Sequence, residues 1–374
     1  MKILFIAKYS PKSDKKWGGE MHTINLATKL AENNFIVYFI NSDFTGIYKK
    51  VIYIKIPYKK YHNTPFIATF KYIKKIIEYY NIDLIHVFFT NGILIKKLKK
   101  KFNIPVIYSD NVWRLGPKYK IKYPFIFLLH GKPFVYLAFK YKLSGIKHAD
   151  MVITNSTALS ILVKHYSNQR NIEVINNGVN LDLFKPQKYP KKDKKTIITL
   201  SRLDKSKGVQ DIIKAFKILE SENFEYNFLI FGEGPYMRKL YHLVEKYELK
   251  DKIKFCGKVS HSKVPKIFKI SNIYILASWF ESFSNTIIES MACARPFITT
   301  KNGGSADQVI NLYNGLSVKI RSPRELAEKI KYLMLNPDEA KKMGLNGRKM
   351  VEKKFSWEQE ANKYIKIYKT FKIK

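Results

Sequence analysis

Acidic residues are scarce in this 374-residue chain: 30 Asp and Glu stand against 68 Lys and Arg, a formal net charge of +38. No tail carries the excess, since residues 1–185 hold 30 basic and 10 acidic residues and the remainder 38 and 20. A field of that sign attracts nucleotides, nucleic acid or anionic lipid. Spread over both halves, it also reads as compositional drift toward Lys, Ile, Asn and Tyr, and most surface lysines fit that reading. Cysteine is nearly missing, and Cys256 and Cys293 alone exclude a disulfide framework and a Cys-rich zinc site. No run approaches the ~20 apolar residues of a spanning helix. The opening MKILFIAKYS has too short an apolar stretch for a signal peptide, and no small-residue cleavage site follows it. The expected location is cytoplasmic, with the inner face of the plasma membrane as a peripheral site. A Gly-x4-Gly-Lys-Ser/Thr loop is missing too, which argues against an ATPase. So is any recognised nucleic-acid reader motif.

What is present builds large cores. Hydrophobic residues make up 46% of the chain and aromatics 14%, which excludes a mainly disordered protein, and the length implies two domains. Short β-rich runs alternate with helical runs. Strands are expected at 2–7, 35–41, 84–88, 106–109 and 151–155, and helices at 21–32, 70–80, 93–101 and 134–148. The charged, Pro-containing stretch 184–193 (FKPQKYPKKD) reads as a linker. After it the pattern restarts, with strands at 196–201, 226–231, 253–255, 273–276 and 297–300 and helices at 209–221, 236–247 and 285–293. Alternation of this kind is the signature of parallel sheets. Two similar halves make an α/β protein of two Rossmann-like domains facing a cleft.

The strongest chemical constellation is Glu281-Ser-Phe-Ser-Asn-Thr-Ile-Ile-Glu289, where a loop after a strand runs into a helix starting near Asn285. A helix start offers unpaired backbone N–H groups and partial positive charge, a ready phosphate site. Glu289 lies about one turn further in. Eight residues of helix rise span at most ~12 Å, comparable to a sugar–diphosphate–ribose. Glu281 can then meet a sugar hydroxyl while Glu289 accepts from a ribose diol. Either Glu alone would read as a solvated surface residue. A second cluster weighs against that: in LSRLDKSKG, Arg202 follows a strand and Lys207 precedes Gly208. Arg clamps two phosphate oxygens and Lys supplies a point charge. With eight Arg against sixty Lys in the chain, Arg202 is the more telling of the two. Gly232 in FGEGP reads as a tight strand–helix turn or a close approach to ligand, and Gly257 and the Gly303-Gly304 pair carry the same two readings. Gly18-Gly19, before the 21–32 helix, allow backbone N–H groups to approach an anion, or form a plain loop.

Taken together these residues resemble the family-4 retaining glycosyltransferases of the GT-B fold, nearly end to end. The resemblance rests on Gly18-Gly19, ADMVITNS (149–156), NNGVNLDLF (176–184), SRLDKSKG (201–208), FGEGP, the Glu-x7-Glu motif, the GG pair, NGLSV (314–318) and FSWEQEANKYIKIY (355–368). It implies an acceptor-binding domain over 1–183, completed by a C-terminal helix 359–374, and a nucleotide-sugar donor domain over 184–358. It implies that Arg202 and Lys207 hold the diphosphate and that Glu281 contacts the donor sugar. Phe283 to Asn285 would cap the phosphate, Glu289 hold ribose, and Gly18-Gly19 approach the diphosphate. The donor would be a UDP- or GDP-sugar, with no further cofactor and no metal, and the chain lacks the Asp-x-Asp motif of the other main transferase fold. The leaving phosphate itself would deprotonate the acceptor. The implied acceptor is a glycan, a lipid-linked glycan, or a lipopolysaccharide or capsule precursor.

The chain also departs from the family pattern. Asn180 and Asp307 stand where the family often has Asp and Glu. At the end of the strand 105–109, many members place a His near the reacting sugar, and this chain has Asp110 and Asn111, either of which could hydrogen-bond donor or acceptor. His130 lies nearby in sequence, but a lone His is more often structural. Residues 121–147 mix aromatic, aliphatic and Lys residues, which suits either an interfacial segment on anionic lipid or a core helix with a basic surface. Two other classes compete: a nucleotide-sugar epimerase of the same architecture, which would need no acceptor, and a basic nucleic-acid-binding protein, which would account for the charge.

Overall fold

The computed structural model describes residues 1–7, 18–41, 44–56, 65–88, 92–110, 143, 145–190, 195–220, 222 and 224–371. The chain divides into two compact units, Met1–Asn177 with Trp357–Lys374, and Gly178–Ser356.

Unit 1 carries one eight-stranded sheet. Its strands are β1 (Lys2–Ile6), β2 (Ile36–Asn41), β3 (Gly46–Tyr48), β4 (Val51–Lys55), β5 (Leu84–Phe88), β6 (Val106–Asp110), β7 (Met151–Thr154) and β8 (Ile172–Val174). They lie in the order β3-β4-β2-β1-β5-β6-β7-β8, and every pairing is parallel except β3 with β4. Among the described residues the helices are α1 (Gly18–Glu32), α2 (Pro65–Tyr80), α3 (Gly92–Lys101) and α4 (Thr157–Ser167), joined by α11 (Trp357–Thr370) of the same unit. Strands such as Leu84–Phe88 are buried at every position, because helices cover both faces of a parallel sheet and leave no wet side. Alternate residues therefore feed opposite cores. Ile3, Phe5, Val37, Phe39, Leu84 and Phe88 pack with α1 and with Tyr364 and Tyr368 of α11.

Unit 2 is a six-stranded, wholly parallel sheet of β9 (Lys195–Leu200), β10 (Tyr226–Phe231), β11 (Ile253–Gly257), β12 (Ile273–Leu276), β13 (Phe297–Thr300) and β14 (Leu316–Val318), ordered β11-β10-β9-β12-β13-β14. Its helices are α5 (Val209–Glu220), α6 (Met237–Lys246), α7 (Val264–Ile270), α8 (Asn285–Ala292), α9 (Pro323–Leu335) and α10 (Pro337–Lys354). The same alternation builds two cores, with Ile197, Ile273 and Ile275 on one face and Ile198, Tyr274 and Leu276 on the other. From β9 the chain winds outward through β10 to β11, then returns to place β12 on the other side of β9. This reversal is the topological switch point at which open α/β sheets bind ligands.

Two expectations change. The stretch 184–193 is not a free linker as far as it is described. Phe184 is wholly buried in unit 2. The buried Arg295 guanidinium donates to the carbonyls of Gln187 and Lys188 at 2.9 and 2.7 Å, and Asn272 donates to that of Pro190 at 3.0 Å. Burial holds the Arg295 pKa down to about 10, so the cation is kept by the backbone dipoles it gathers. A segment that is charged in composition is thus strapped down by its carbonyls. In unit 1, Gly18 and Gly19 form the first turn of α1 rather than a loop before it.

Candidate active site

Four loops leave the C-terminal ends of β9, β10, β12 and β13, and their backbones lie against one another. After β9, Arg202 and Asp204 lead into a 3-10 turn, Lys205–Lys207, closed by Gly208 in the left-handed region at φ 69°. A β-carbon on Gly208 would sit 1.9 Å from the Ala277 carbonyl oxygen of the β12 loop, so only glycine lets these loops meet. The contact is sealed by the Trp279 N–H, which donates to the Ser206 carbonyl at 2.8 Å. On the other side Gly232 (φ 128°) brings the β10 loop against the Ser201 carbonyl. The tight-turn reading of Gly232 is therefore met by backbone packing. From the β13 loop, the Gly304 N–H donates to the Glu281 carbonyl at 2.7 Å. Gly257 also has positive φ, and nothing lies close to where its β-carbon would be.

This packing delivers the side chains. Lys207 Nζ contacts Glu281 Oε1, and the same oxygen accepts from Ser278 Oγ at 2.8 Å. A cation from the β9 loop and a carboxylate from the β12 loop thus meet at the switch point, with side chains 25% and 14% exposed. Arg202 is more open. Its Nε donates to Asp204 Oδ2 at 2.5 Å, and that hydrogen bond raises its pKa further, so the guanidinium is held charged beside the turn. Ser284 caps α8: its Oγ accepts from the Ile287 N–H at 3.4 Å, and Gln308 clamps its backbone from both sides, at 3.1 and 2.7 Å. The Phe283 ring points into the core, meeting Phe355 edge-on with centroids 5.7 Å apart, so only its backbone serves the helix start. Asn285 is the first helical residue, half-buried.

Glu289 is almost fully buried, and its Oε1 lies 2.9 Å from Nε2 of His261. His261 is the residue that sequence reasoning passes over. It stands 28 residues away in a Lys-rich turn, and no spacing links it to Glu289. Burial of its ring favours the neutral form, but the Glu289 hydrogen bond and charge outweigh this and raise the His261 pKa above its ordinary value.

In unit 1, Asp110 is the last residue of β6, paired with Thr154 of β7. Its side chain, Asn111, His130 and nearly all of 121–147 lie outside the described residues. A cavity of about 540 Å³ opens at the other edge of this sheet, where Asp83, Pro105 and Asp150 precede β5, β6 and β7. Lys99 Nζ pairs with Asp150 there at 2.9 Å, and the Val106 N–H donates to the same carboxylate at 2.7 Å, so its polar groups serve the fold. Among the described residues no helix is long and apolar enough to cross a membrane.

The chain matches the model of the group 1 glycosyl transferases over residues 182–350 and that of glycosyltransferase family 4 over residues 18–183. It is 30% identical to an uncharacterized glycosyltransferase of Methanocaldococcus jannaschii, over 98% of each chain. Among solved structures it is similar to sucrose-phosphate synthase from Thermosynechococcus elongatus, at 22% identity and a TM-score of 0.82 over 99% of this chain and 98% of that one. It is also similar to HepE of Anabaena in complex with UDP and glucose, at 18% identity and a TM-score of 0.75 over 99% of both. The fold is that of the GT-B class of transferases. The chain belongs to the group 1 (family 4) glycosyltransferases.

Proposed function

We propose that the protein moves a hexosyl unit from a UDP- or GDP-sugar to a hydroxyl of a glycan or lipid-linked glycan, with retention at the anomeric carbon, in the synthesis of cell-surface polysaccharide or lipopolysaccharide. The observation that carries this is the Lys207–Glu281 contact at the β9/β12 switch point, beside a Ser284-capped helix start. Unit 2 (Gly178–Ser356) is the donor unit and unit 1 the acceptor unit. In HepE the bound ligands are UDP and glucose, which supports a nucleotide-sugar donor.

The chemistry follows from charge. The bond between the anomeric carbon and the diphosphate oxygen breaks, and its electron pair leaves with the phosphate. Arg202, Lys207 and the α8 N-terminus stabilise that growing negative charge. The acceptor oxygen bonds to the anomeric carbon on the face being vacated, and its proton passes to the departing phosphate. Glu281 holds a sugar hydroxyl, Glu289 holds the ribose diol, and Gly18-Gly19 bring backbone N–H groups toward the diphosphate. Asp110 stands at a strand end suited to the reacting sugar. These groups supply the positive charge themselves, so the reaction proceeds without a metal ion or other cofactor.

Thermal-shift screening against UDP- and GDP-sugars tests the donor, because a ligand that binds the folded state raises Tm. Turnover of the best donor that continues in EDTA and depends on added acceptor supports the assignment. Turnover with no acceptor would make the protein an epimerase. The +38 charge also suits peripheral contact with an anionic membrane. Co-sedimentation with phosphatidylglycerol vesicles at low salt measures that contact, and failure to sediment removes it.

A further inference from the structure

A carboxylate as buried as Glu289 needs a partner, because few water molecules reach it. The partner comes from another element. His261 belongs to the 3-10 turn His261–Lys263 just before α7, and its Nε2 approaches Glu289 Oε1 to 2.9 Å. The ring is held in its own right. Phe184 meets it edge-on, with centroids 5.3 Å apart, and Arg348 of α10 fixes the Phe184 carbonyl at 2.8 Å while reaching the Ala292 carbonyl at the end of α8 at 2.9 Å. The imidazole is therefore packed on one side, 39% exposed on the other, and committed through one nitrogen to one carboxylate oxygen.

We propose that His261 is the positioning residue of the ribose carboxylate: by holding Oε1 it fixes the Glu289 rotamer and presents Oε2 to the ribose diol of a nucleotide donor. The inference rests on the donor-site reading of Glu289 given above and names the residue through which that subsite is set. A carboxylate with one oxygen anchored offers the other in a single orientation, which a diol recognised through two hydroxyls requires.

The contact is also sensitive to pH. The charged groups on the elements packed here include Lys254 of β11 and Lys258 just after it, Lys263 in the same turn, Lys266 and Lys269 of α7, Lys185 beside Phe184, and Lys349, Lys353 and Arg348 of α10, the last paired with Glu352. Tyr274 and Cys293 lie within the field of Glu289, but burial pushes both up, the Cys293 thiol to about 12, so neither changes charge near neutrality. His261 does, at a pH above its ordinary value. Below that pH the imidazolium grips Glu289 as a charged donor. As pH rises through it the grip weakens to a neutral hydrogen bond.

Calorimetric titration of the whole chain with UDP, and in parallel with GDP, tests the inference. His261→Ala should weaken binding about tenfold, the cost of a hydrogen bond to a charged group. His261→Gln, which keeps an N–H donor, should recover most of it. In a Glu289→Ala background, His261→Ala should cost nothing more, because the two act as one unit. Wild-type affinity should fall as pH rises from about 6 to 9, with that limb lost in His261→Gln. The Gln variant also subtracts the nucleotide phosphate's own titration. If Glu289→Ala weakens binding while His261→Ala does not, or if His261→Ala costs as much without Glu289 as with it, the positioning role is wrong and the ring merely packs. If neither nucleotide binds, or Glu289→Ala binds like wild type, the donor-site reading fails and this inference fails with it. Should His261→Ala not fold, the pH profile of His261→Gln decides alone.

Discussion

Among the described residues two histidine–glutamate pairs stand out, one in each unit, and they differ in how far water reaches them. In unit 1, His22 Nδ1 of α1 lies 2.8 Å from Glu360 Oε1 of α11, with the side chains 3% and 4% exposed. In unit 2, His261 and Glu289 lie 2.9 Å apart at 39% and 7%. The sealed pair is at ion-pair distance without hydrogen-bond alignment, whereas the half-open pair is an aligned hydrogen bond. The neighbours differ too. Around the sealed pair, Tyr368 OH of α11 meets His86 Nδ1 of β5 at 2.5 Å, and His86 Nε2 meets Ser109 Oγ of β6 at 2.7 Å. All of that polarity is spent on fastening the last helix to the sheet. In unit 2 the polar groups gather at strand ends, one partner open, where a ligand can compete for them. The same two residue types build a sealed fastener where both are buried and a half-open hydrogen bond where one is not.

Breaking the open cluster should have the largest effect on turnover and little on stability. Lys207→Ala and Arg202→Ala should each lower kcat/KM by about 10²–10³-fold, the cost of about 2.7–4 kcal/mol typical of losing one preorganised donor to a developing anion. Their Tm should stay within a few degrees of wild type, since Arg202 is 56% exposed and Lys207 25%. Steady-state kinetics beside a melting scan checks both. A kcat/KM near wild type for Arg202→Ala refutes its diphosphate role.

The sealed cluster should respond the other way. Glu360→Ala truncates a buried side chain and removes the carboxylate that faces His22, which costs about 2–3 kcal/mol. In a domain of this size that lowers Tm by about 4–12 °C. Nucleotide binding, measured calorimetrically below the transition, should be nearly unchanged. A Glu360→Ala protein that melts like wild type but binds UDP poorly would reverse the assignment of the two pairs.

How much of this was readable beforehand follows the same division. Most of the parallel strands were legible because they are buried on both faces and so appear as unbroken apolar runs, as in Leu84–Phe88 and Ile273–Leu276. The Lys207–Glu281 contact was half legible, because both residues follow strands. Their contact, however, depends on β12 pairing with β9, which is long-range topology. His261 was not legible: its partner is fixed by packing alone. Neither were β3 and β4. Their turn uses Lys49 and Lys50 at φ 48° and 62°, where the usual turn signals are Gly or Asn, so the hairpin reads as a charged loop. The stretch 184–193 misled for the opposite reason, since composition records exposed charges and not the carbonyls that Arg295 gathers.

The smallest effect separates the histidines by the sign of their pH dependence. Burial, and then the field of His22, lowers the His86 pKa well below its ordinary 6.5, so His86 stays neutral in the fold while an unfolded chain would protonate it. Its contribution to stability is therefore present above about pH 6.5 and lost as pH falls, by roughly 1 kcal/mol at pH 5.5. His261, raised instead, contributes stability that is present below 6.5 and lost as pH rises through its folded value. His86→Gln should melt lower than wild type at every pH yet fall less steeply between about pH 7.5 and 5.5. His261→Gln should leave that acid slope intact and flatten the decline on the alkaline side. Melting curves across this range distinguish the two, and an acid slope that survives in His86→Gln would place the titrating group elsewhere than His86.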